Sequence, residues 1–323
     1  MPTIPTHTAS VLWTPHSESE RFLPEGPRMV HAMGWDWLMW VNIQTGPDAG
    51  SGSIHLLDRK TGEHRELPQP ARPGFVMPTT QPNQVLVGLE KEIVVLDLTT
   101  NSRTPLARIP DESPRTIIND GEILPGGESI LFGTKDIRFA DPLAAVYRFH
   151  IASRRIEPIL PGQTCSNGKV FRHTPNGLEW LDIDTPTRVV RRFRFEPGSE
   201  MVLDDGIALD LRKTDGFPDG MVAADDHSVI IAFYNPSPIP AGCAIRFDLR
   251  TGQAIERYAT PGSPRVTCPL LIPHANGGSE LILTTADEGM PAEQQASAPN
   301  RGCLFALHLP QLTAPASETV QLA

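Results

Sequence analysis

The segment ILFGTK (residues 130–135), followed by VYRFHIASR (146–154), decides the fold because the same pair of segments recurs along the whole chain. The first segment recurs as LMWVNI (38–43), VLVGLE (85–90), LEWLDI (178–183), IIAFYN (230–235) and ILTTAD (282–287). The second recurs as IHLLDRKTG, IVVLDLTTN, VRRFRFEPG, AIRFDLRTG and LFALHLPQL. The copies start roughly 45 to 52 residues apart, which is the spacing of β-propeller blades. Six pairs therefore predict an all-β chain folded as a six-bladed β-propeller.

The apolar character of these segments favours the same fold. Each reads as a nearly continuous apolar run, as expected of strands that neighbouring blades cover on both faces. A pair of β-sandwiches would also produce short strands, but nothing would keep them at one spacing over the whole chain. We therefore predict one propeller domain over residues 1–310. The remaining residues, 311–323, are small and polar and are predicted to form a flexible tail.

Composition narrows the class of protein. The 323 residues include 33 prolines and 26 glycines in turn-like clusters, and the formal net charge is −10. An acidic chain without long lysine or arginine runs repels a phosphate backbone, so nucleic acid is not an expected partner. The four cysteines show no paired spacing and favour a reducing compartment. Without a signal-peptide pattern or a membrane-length apolar run, we expect a soluble cytoplasmic protein with no membrane partner.

Four polar fragments lie at one position of the repeat, ahead of the first apolar segment of a blade. They are Glu25-Gly26-Pro27, Asn119-Asp120-Gly121, Asn167-Gly168 and Asp219-Gly220. Asn-Gly and Asp-Gly are also strong hairpin-turn signals, so any one of these fragments alone is more simply read as a turn. Their shared position favours a function, because equivalent loops of a propeller lie at one end of its channel. We expect these side chains to converge on the channel mouth.

Converging carboxylates repel each other unless a cation lies between them. The donors in the four fragments are carboxylate and amide oxygens, without thiolate or imidazole. Such hard donors suit calcium, magnesium or manganese, and they tolerate zinc. The residues therefore predict one divalent metal ion at the mouth of the channel.

The order of the fragments resembles one known family. EGP (25–27), INDG (118–121), FGTKD (132–136), SNG (166–168), PDGM (218–221) and LTTADEGM (283–290) occur in the order found in the senescence-marker-protein, gluconolactonase and luciferin-regenerating-enzyme family. The resemblance implies a six-bladed propeller with one divalent metal, often calcium or zinc, held by Glu25, Asn167 and Asp219. It also places Asn119 beside the metal as a substrate-binding or outer ligand. It makes Asp219 the expected base, and Asp120 would then brace its loop.

The chain departs from the family at substrate-binding positions. Sugar lactonases of the family usually carry an arginine two residues before the asparagine of the NDG fragment, where this chain has Ile117. Arg115 would have to reach the same space, or else it is simply solvated. After FGT the chain offers Lys135 and Arg138, which favour an acidic or phosphorylated ligand unless they form only a charged rim. Tyr234 is a further candidate for hydrogen bonds to a bound sugar, or for packing a loop.

Together these features favour a metal-dependent hydrolase that acts on a sugar-acid lactone or a related small cyclic ester. In this interpretation the metal polarises the carbonyl and Asp219 activates water. Two alternatives stay open at this stage. One is a propeller that binds calcium or another ligand without turnover, and the other is an arylester or organophosphate hydrolase that uses the same site. The fold alone does not choose among them.

Overall fold

The computed structural model describes residues 4–196 and 201–322, and in these residues the chain is built almost entirely of β-strands. The strands form six sheets that follow one another along the chain at the spacing of the sequence repeat. The fold is therefore the predicted six-bladed β-propeller. The described residues contain no helix long and apolar enough to cross a bilayer.

Two short strands precede the first repeat, β1 (Thr6–Thr8) and β2 (Ser10–Trp13). Blade 1 then contains β3 (Pro24–Ala32), β4 (Trp35–Asn42), β5 (Gly52–Leu57) and β6 (His64–Gln69). Blade 2 contains β7 (Pro73–Pro78), β8 (Gln84–Leu89), β9 (Glu92–Asp97) and β10 (Arg103–Arg108). Blade 3 contains β11 (Thr116–Ile123), β12 (Ser129–Asp136), β13 (Ala144–His150) and β14 (Arg155–Gln163).

The second half of the chain repeats the same order. Blade 4 contains β15 (Ser166–Thr174), β16 (Gly177–Asp184), β17 (Val189–Phe195) and β18 (Val202–Asp210), with a 3₁₀ turn at Thr185–Thr187. Blade 5 contains β19 (Phe217–Asp225), β20 (Ser228–Tyr234), β21 (Ala241–Asp248) and β22 (Ala254–Pro261). Blade 6 contains β23 (Val266–Pro273), β24 (Ser279–Thr285) and β25 (Leu304–Leu309), with the short helix α1 (Ala292–Gln295) before β25. The paired apolar segments of the sequence repeat are thus the second and third strands of each blade.

Burial follows strand order within a blade. Every residue of β5, β7 and β12 is buried, and apart from His55, Lys135 and Asp136 their side chains are apolar or small. The fourth strands are more exposed, as β10 shows with the sequence RTPLAR. A strand that is covered on both faces cannot show a polar face, so alternation is weak in the inner strands.

The chain divides into two compact units. Unit 1 contains the described residues up to Pro24 together with Asn167–Ala316, and unit 2 contains Glu25–Ser166 together with the described residues from Ser317 onwards. In unit 2, Phe75 of β7 packs against Phe132 of β12 with ring centres 5.9 Å apart. In unit 1, strands of blades 4 and 5 share a core that contains Leu181, Ile231 and Phe247. Each unit therefore has an apolar core of its own.

The N-terminal strands join the last two blades of unit 1. The C-terminal repeat supplies only three strands to blade 6. β2 pairs antiparallel with β25 and supplies the fourth strand. β1 pairs parallel with β22 and adds a fifth strand to blade 5. The sequence repeat did not predict either strand, because each is short and lies far from its partner along the chain.

The predicted flexible tail after residue 310 requires correction. Leu312 is buried in the core of unit 1. In unit 2, Val320 is fully buried, and its backbone N–H donates to the carbonyl oxygen of Pro78 at 2.9 Å. The segment looks polar in composition, but two apolar side chains and its backbone hydrogen bonds attach it to the blades.

Deletion of residues 2–13, which removes β1 and β2, should lower the Tm measured by circular dichroism. β25 would become an edge strand, and the buried side chains of Ala9 and Trp13 would be lost. Burial of one large apolar side chain contributes roughly 1.5–3 kcal/mol, and each kcal/mol corresponds to roughly 2–4 °C in a domain of this size. We therefore expect a decrease of at least about 5 °C. A Tm equal to that of the wild type would refute the closing role of β2.

Candidate functional site

The four predicted fragments lie in the first strand of their blades, and not in the loops before it. Glu25 is the second residue of β3, Asn119 the fourth of β11, Asn167 the second of β15 and Asp219 the third of β19. The loop assignment was wrong because a polar residue beside glycine is a strong turn signal, whereas here the backbone continues in a ladder. These residues therefore belong to strands, which hold side chains more firmly than loops.

β-bulges accommodate polar side chains in two of these strands. The pairing of β11 with β12 shifts register between residues 118 and 121. The pairing of β19 with β20 shifts in the same way between residues 218 and 221. A bulge leaves residues out of the ladder and changes the direction of their side chains. Asn119 and Asp219 lie in these two bulges, at the same position of their blades.

In unit 2, local hydrogen bonds hold Glu25 and Asn119, and both residues are buried. Oε2 of Glu25 accepts a hydrogen bond from the backbone N–H of Gly26 at 2.9 Å. Nδ2 of Asn119 donates to the carbonyl oxygen of Ser166 at 3.0 Å and lies 3.8 Å from Sγ of Cys165. The amide of Asn119 is thereby attached to the first residue of β15.

In unit 1, β15 and β19 lie directly against each other at Asn167 and Asp219. A Cβ atom on Gly168 would lie 2.7 Å from the carbonyl oxygen of Asp219, so glycine permits this close approach. Nδ2 of Asn167 donates to Oγ1 of Thr185 at 2.8 Å, and that hydroxyl donates to the carbonyl oxygen of Pro218 at 2.9 Å. One threonine hydroxyl therefore connects the amide of Asn167 to the residue before Asp219.

A buried ion pair supports the same strand. Nζ of Lys169 lies 3.2 Å from Oδ1 of Asp182, and both side chains are almost completely buried. The ammonium group also donates to the carbonyl oxygen of Asn167 at 2.8 Å. Removing either partner would leave a buried charge uncompensated, so the pair restricts the backbone of β15 at Asn167.

Arg115 forms ion pairs inside blade 3. Its Nε donates to Oδ1 of Asp136 at 3.1 Å, and its Nη2 lies 2.8 Å from Oδ2 of Asp141. The fully buried carboxylate of Asp136 also accepts hydrogen bonds from the backbone N–H groups of Arg138, Ala140 and Asp141. Burial by itself raises the pKa of Asp136, but these hydrogen bonds outweigh it and hold the pKa below its ordinary range. The pair fixes the loop after β12.

The remaining predicted substrate residues have different surroundings. The side chain of Arg138 is exposed. The hydroxyl of Tyr234 donates to the carbonyl oxygen of Glu288, and burial followed by the charge of Glu288 raises its pKa. The guanidinium of Arg265 lies 5.3 Å from the centre of the Tyr234 ring. Tyr234 therefore holds the loop after β24, while Lys135 is buried at the end of β12.

The sequence analysis missed the residues that position the candidates. Thr185, Lys169 and Asp182 were not selected, although Asp182 interrupts the apolar run LEWLDI and Lys169 follows Asn167-Gly168. A charge inside an apolar strand is a usable signal, because it is rarely buried without a partner. Nothing in the local sequence identifies Thr185 as a residue that positions Asn167.

Residues 23–287 match the sequence profile of the SMP-30/Gluconolactonase/LRE-like region. The chain belongs to this family. The ordered fragments that suggested the resemblance span this same region, so the match confirms it.

Similar proteins include both regucalcins and sugar lactonases. Regucalcin from Danio rerio is 27% identical over 225 residues, which cover 65% of this chain and 68% of the relative. L-arabinolactonase from Azospirillum brasilense is 27% identical over 246 residues, which cover 74% of this chain and 75% of the relative. The crystal structure of a calcium-binding protein, regucalcin, from Agrobacterium tumefaciens aligns with a TM-score of 0.80 at 20% identity, covering 99% of this chain and 100% of that one. The structural likeness confirms the propeller fold.

Replacing Thr185 by valine should destabilise the protein. The change keeps the shape of the side chain but leaves a buried amide N–H of Asn167 and the carbonyl oxygen of Pro218 without the hydroxyl that links them. An unsatisfied buried polar group costs about 1–3 kcal/mol in the free energy of unfolding, which urea denaturation measures. Thr185→Ser keeps the hydroxyl and is the matched control. Equal stability of the two variants would show that the bridge contributes nothing.

Arg115→Met should reduce stability in a pH-dependent way. A carboxylate with a lowered folded-state pKa stabilises the protein above its unfolded-state pKa, near 4, and this contribution is lost as the pH falls towards the folded-state value. The Tm difference between wild type and Arg115→Met should therefore be full at pH 6–8 and shrink below about pH 4. Thermal unfolding between pH 8 and 3 measures it. A difference that is absent at neutral pH would favour a substrate role for Arg115 over a structural one.

Proposed function

We propose that this chain is a metal-dependent lactonase that opens a sugar-acid lactone or a related small cyclic ester. Membership of the SMP-30/gluconolactonase family carries the proposal, and the relative named L-arabinolactonase supports it. A second support is the presence of Glu25, Asn167 and Asp219 near the start of three first strands. A six-bladed propeller arranges equivalent positions of its blades around one channel, so we infer that these side chains serve one site.

The three residues fit a divalent cation. Glu25, Asn167 and Asp219 are all buried, and buried carboxylates require compensation by positive charge or by hydrogen bonds. Their donors are oxygens only, which suit a hard cation such as calcium, magnesium or manganese and also tolerate zinc. When bound, the cation would supply Lewis-acid polarisation of the lactone carbonyl. The amide nitrogen of Asn167 already donates to Thr185, so its carbonyl oxygen is the atom suited to coordination.

Asp219 is the proposed general base. Its carboxylate would take a proton from the attacking water as the new C–O bond forms at the lactone carbonyl carbon. The same proton would then go to the ring oxygen as the ring C–O bond breaks, and the product is an open-chain hydroxy acid. The bulge around Asp219 and the close contact with Gly168 hold its backbone, so the carboxylate is positioned before substrate binds.

Asn119 is the proposed contact to the substrate. Its amide nitrogen donates to Ser166, which fixes the side chain and orients the remaining carbonyl oxygen. That oxygen would accept a hydrogen bond from a sugar hydroxyl group. Asp120 would stabilise the backbone next to Asn119, because its Oδ1 accepts a hydrogen bond from the backbone N–H of Gly121 at 2.7 Å.

Two variants that nearly preserve volume separate ligand from base. Glu25→Gln replaces a charged oxygen donor by a neutral one, so it should chiefly weaken metal affinity, and excess metal should restore much of the turnover. Asp219→Asn keeps an oxygen donor but cannot accept the proton of water. Its turnover should fall roughly 10²- to 10⁴-fold and stay low at saturating metal, because that is the usual contribution of a positioned general base.

The measurements are metal titration by calorimetry and lactone hydrolysis followed with a pH indicator, after chelation and reconstitution with each of the four metals. Circular dichroism confirms folding of both variants. We expect about one equivalent of bound metal in the wild type. Metal binding without hydrolysis of any lactone, arylester or organophosphate would instead identify a binding protein. Metal-loaded Asp219→Asn with wild-type turnover would remove Asp219 from the role of base.

A further inference from the structure

Lys135 is an unusual lysine. It is only 7% exposed, although lysine is rarely buried without a partner of opposite charge. Every other buried lysine of the described chain has one, as Lys91 has in Asp111 and Lys169 in Asp182. The ammonium group of Lys135 forms no hydrogen bond or ion pair with the described residues. Its nitrogen still has some contact with solvent. The ammonium group therefore lies in a largely enclosed space that solvent can still enter.

The neighbouring carboxylate does not neutralise this ammonium group. Successive side chains of a strand point to opposite faces, so Asp136 lies on the other face of β12 from Lys135. The carboxylate of Asp136 is also fully engaged by Arg115 and by the backbone of the loop that follows. Lys135 and Asp136 are adjacent in sequence, but within the described part of the chain only Asp136 forms an ion pair.

The two residues that pair with Lys135 across the neighbouring strands are uncharged. Ile117 lies directly opposite across the β11–β12 ladder, so its buried side chain is on the same face as Lys135. On the other side, the backbone of Lys135 forms a β-bridge with Cys165. Asn119 reaches the same place, because its amide donates to Ser166 and lies beside Cys165. An ammonium group is therefore placed next to an apolar side chain and close to the proposed substrate contact.

We propose that Lys135 binds an anionic group of the substrate, and that the preferred substrates are lactones that carry a carboxylate, sulfonate or phosphate group. This proposal rests on the proposed lactonase function. A cation that the protein leaves uncompensated gains most from an anionic ligand, and the apolar wall of Ile117 strengthens that attraction by excluding water. The side chain of Ile117 cannot form a hydrogen bond with a hydroxyl group, so a neutral polyhydroxy lactone would bind less well. Lys135 is thus assigned as a specificity-determining residue.

Kinetics on matched lactones test the assignment. The probes are an aldonolactone and three derivatives with a carboxylate, sulfonate or phosphate at the terminal carbon. In the wild type, kcat/KM should be higher for at least one anionic lactone than for the neutral parent. Lys135→Met should lower the ratio of anionic to neutral kcat/KM by roughly 10- to 100-fold, the range expected for loss of a charge-assisted hydrogen bond. Lys135→Arg should retain most of the ratio, and the three derivatives show which anion is preferred.

Lys60→Met is the control, because Lys60 is exposed in the turn between β5 and β6. It removes the same charge from the protein and should leave the ratio unchanged. An equal decrease in Lys60→Met and Lys135→Met would attribute the effect to net charge and would overturn the assignment. A wild-type ratio of one or less would also overturn it.

A binding measurement separates this proposal from the hydrolase proposal. The probes are cyclic ethers, which cannot be hydrolysed, with a terminal sulfonate or carboxylate or with a terminal hydroxyl. Calorimetry should show tighter binding of an anionic ether to the wild type, and this preference should disappear in Lys135→Met. Preference for the anion without hydrolysis of any lactone would remove the lactonase function but keep the assignment. Hydrolysis of neutral lactones, with no anion preference in either measurement, would keep the lactonase function and remove the assignment. Failure of every ether to bind would also remove the assignment.

Discussion

The fold depends on one constraint, which is that a propeller blade has two apolar faces and no stable edge. The C-terminal repeat supplies only three strands to the last blade, so β25 would be left with unpaired backbone groups. β2, from the opposite end of the chain, pairs with β25 and completes the blade. The N-terminal and C-terminal strands of unit 1 are therefore held together by backbone hydrogen bonds.

The same architecture makes polar residues in the first strands costly to bury, and the bulges and hydrogen bonds around Asn119, Asn167 and Asp219 reduce that cost. Asn119 and Asp219 lie in bulges, where the ladder is already interrupted. The amides of Asn119 and Asn167 each donate to a defined oxygen within their own unit. Side chains whose orientation is set by such contacts need no rearrangement when a ligand binds, which is the arrangement expected of a binding or catalytic site.

Blade 3 shows how neighbouring charges acquire different roles. Lys135 and Asp136 follow each other at the end of β12, and the alternation of a strand separates them to opposite faces. Asp136 is paired with Arg115 and orders a loop, whereas Lys135 forms no ion pair with the described residues and is the proposed contact to an anion. A sequence reading that treats Lys135, Arg138 and Arg115 alike as candidate substrate contacts therefore combines a structural residue, an exposed one and a candidate specificity residue.

The sequence alone determined the blade number, the second and third strands of each blade and the residues that mark the family, because these depend on short-range periodicity and on motifs that lie within a few residues. It did not determine that the polar fragments lie in strands, that β2 completes blade 6 while β1 extends blade 5, or that the C-terminal segment is packed. Nor did it identify what each side chain contacts. Asn167 and Thr185 are 18 residues apart and Arg115 and Asp136 are 21 apart, so only the tertiary structure decides these pairings. The physical reason is that a hydrogen bond depends on separation in space, and in this fold antiparallel strands bring distant residues into contact.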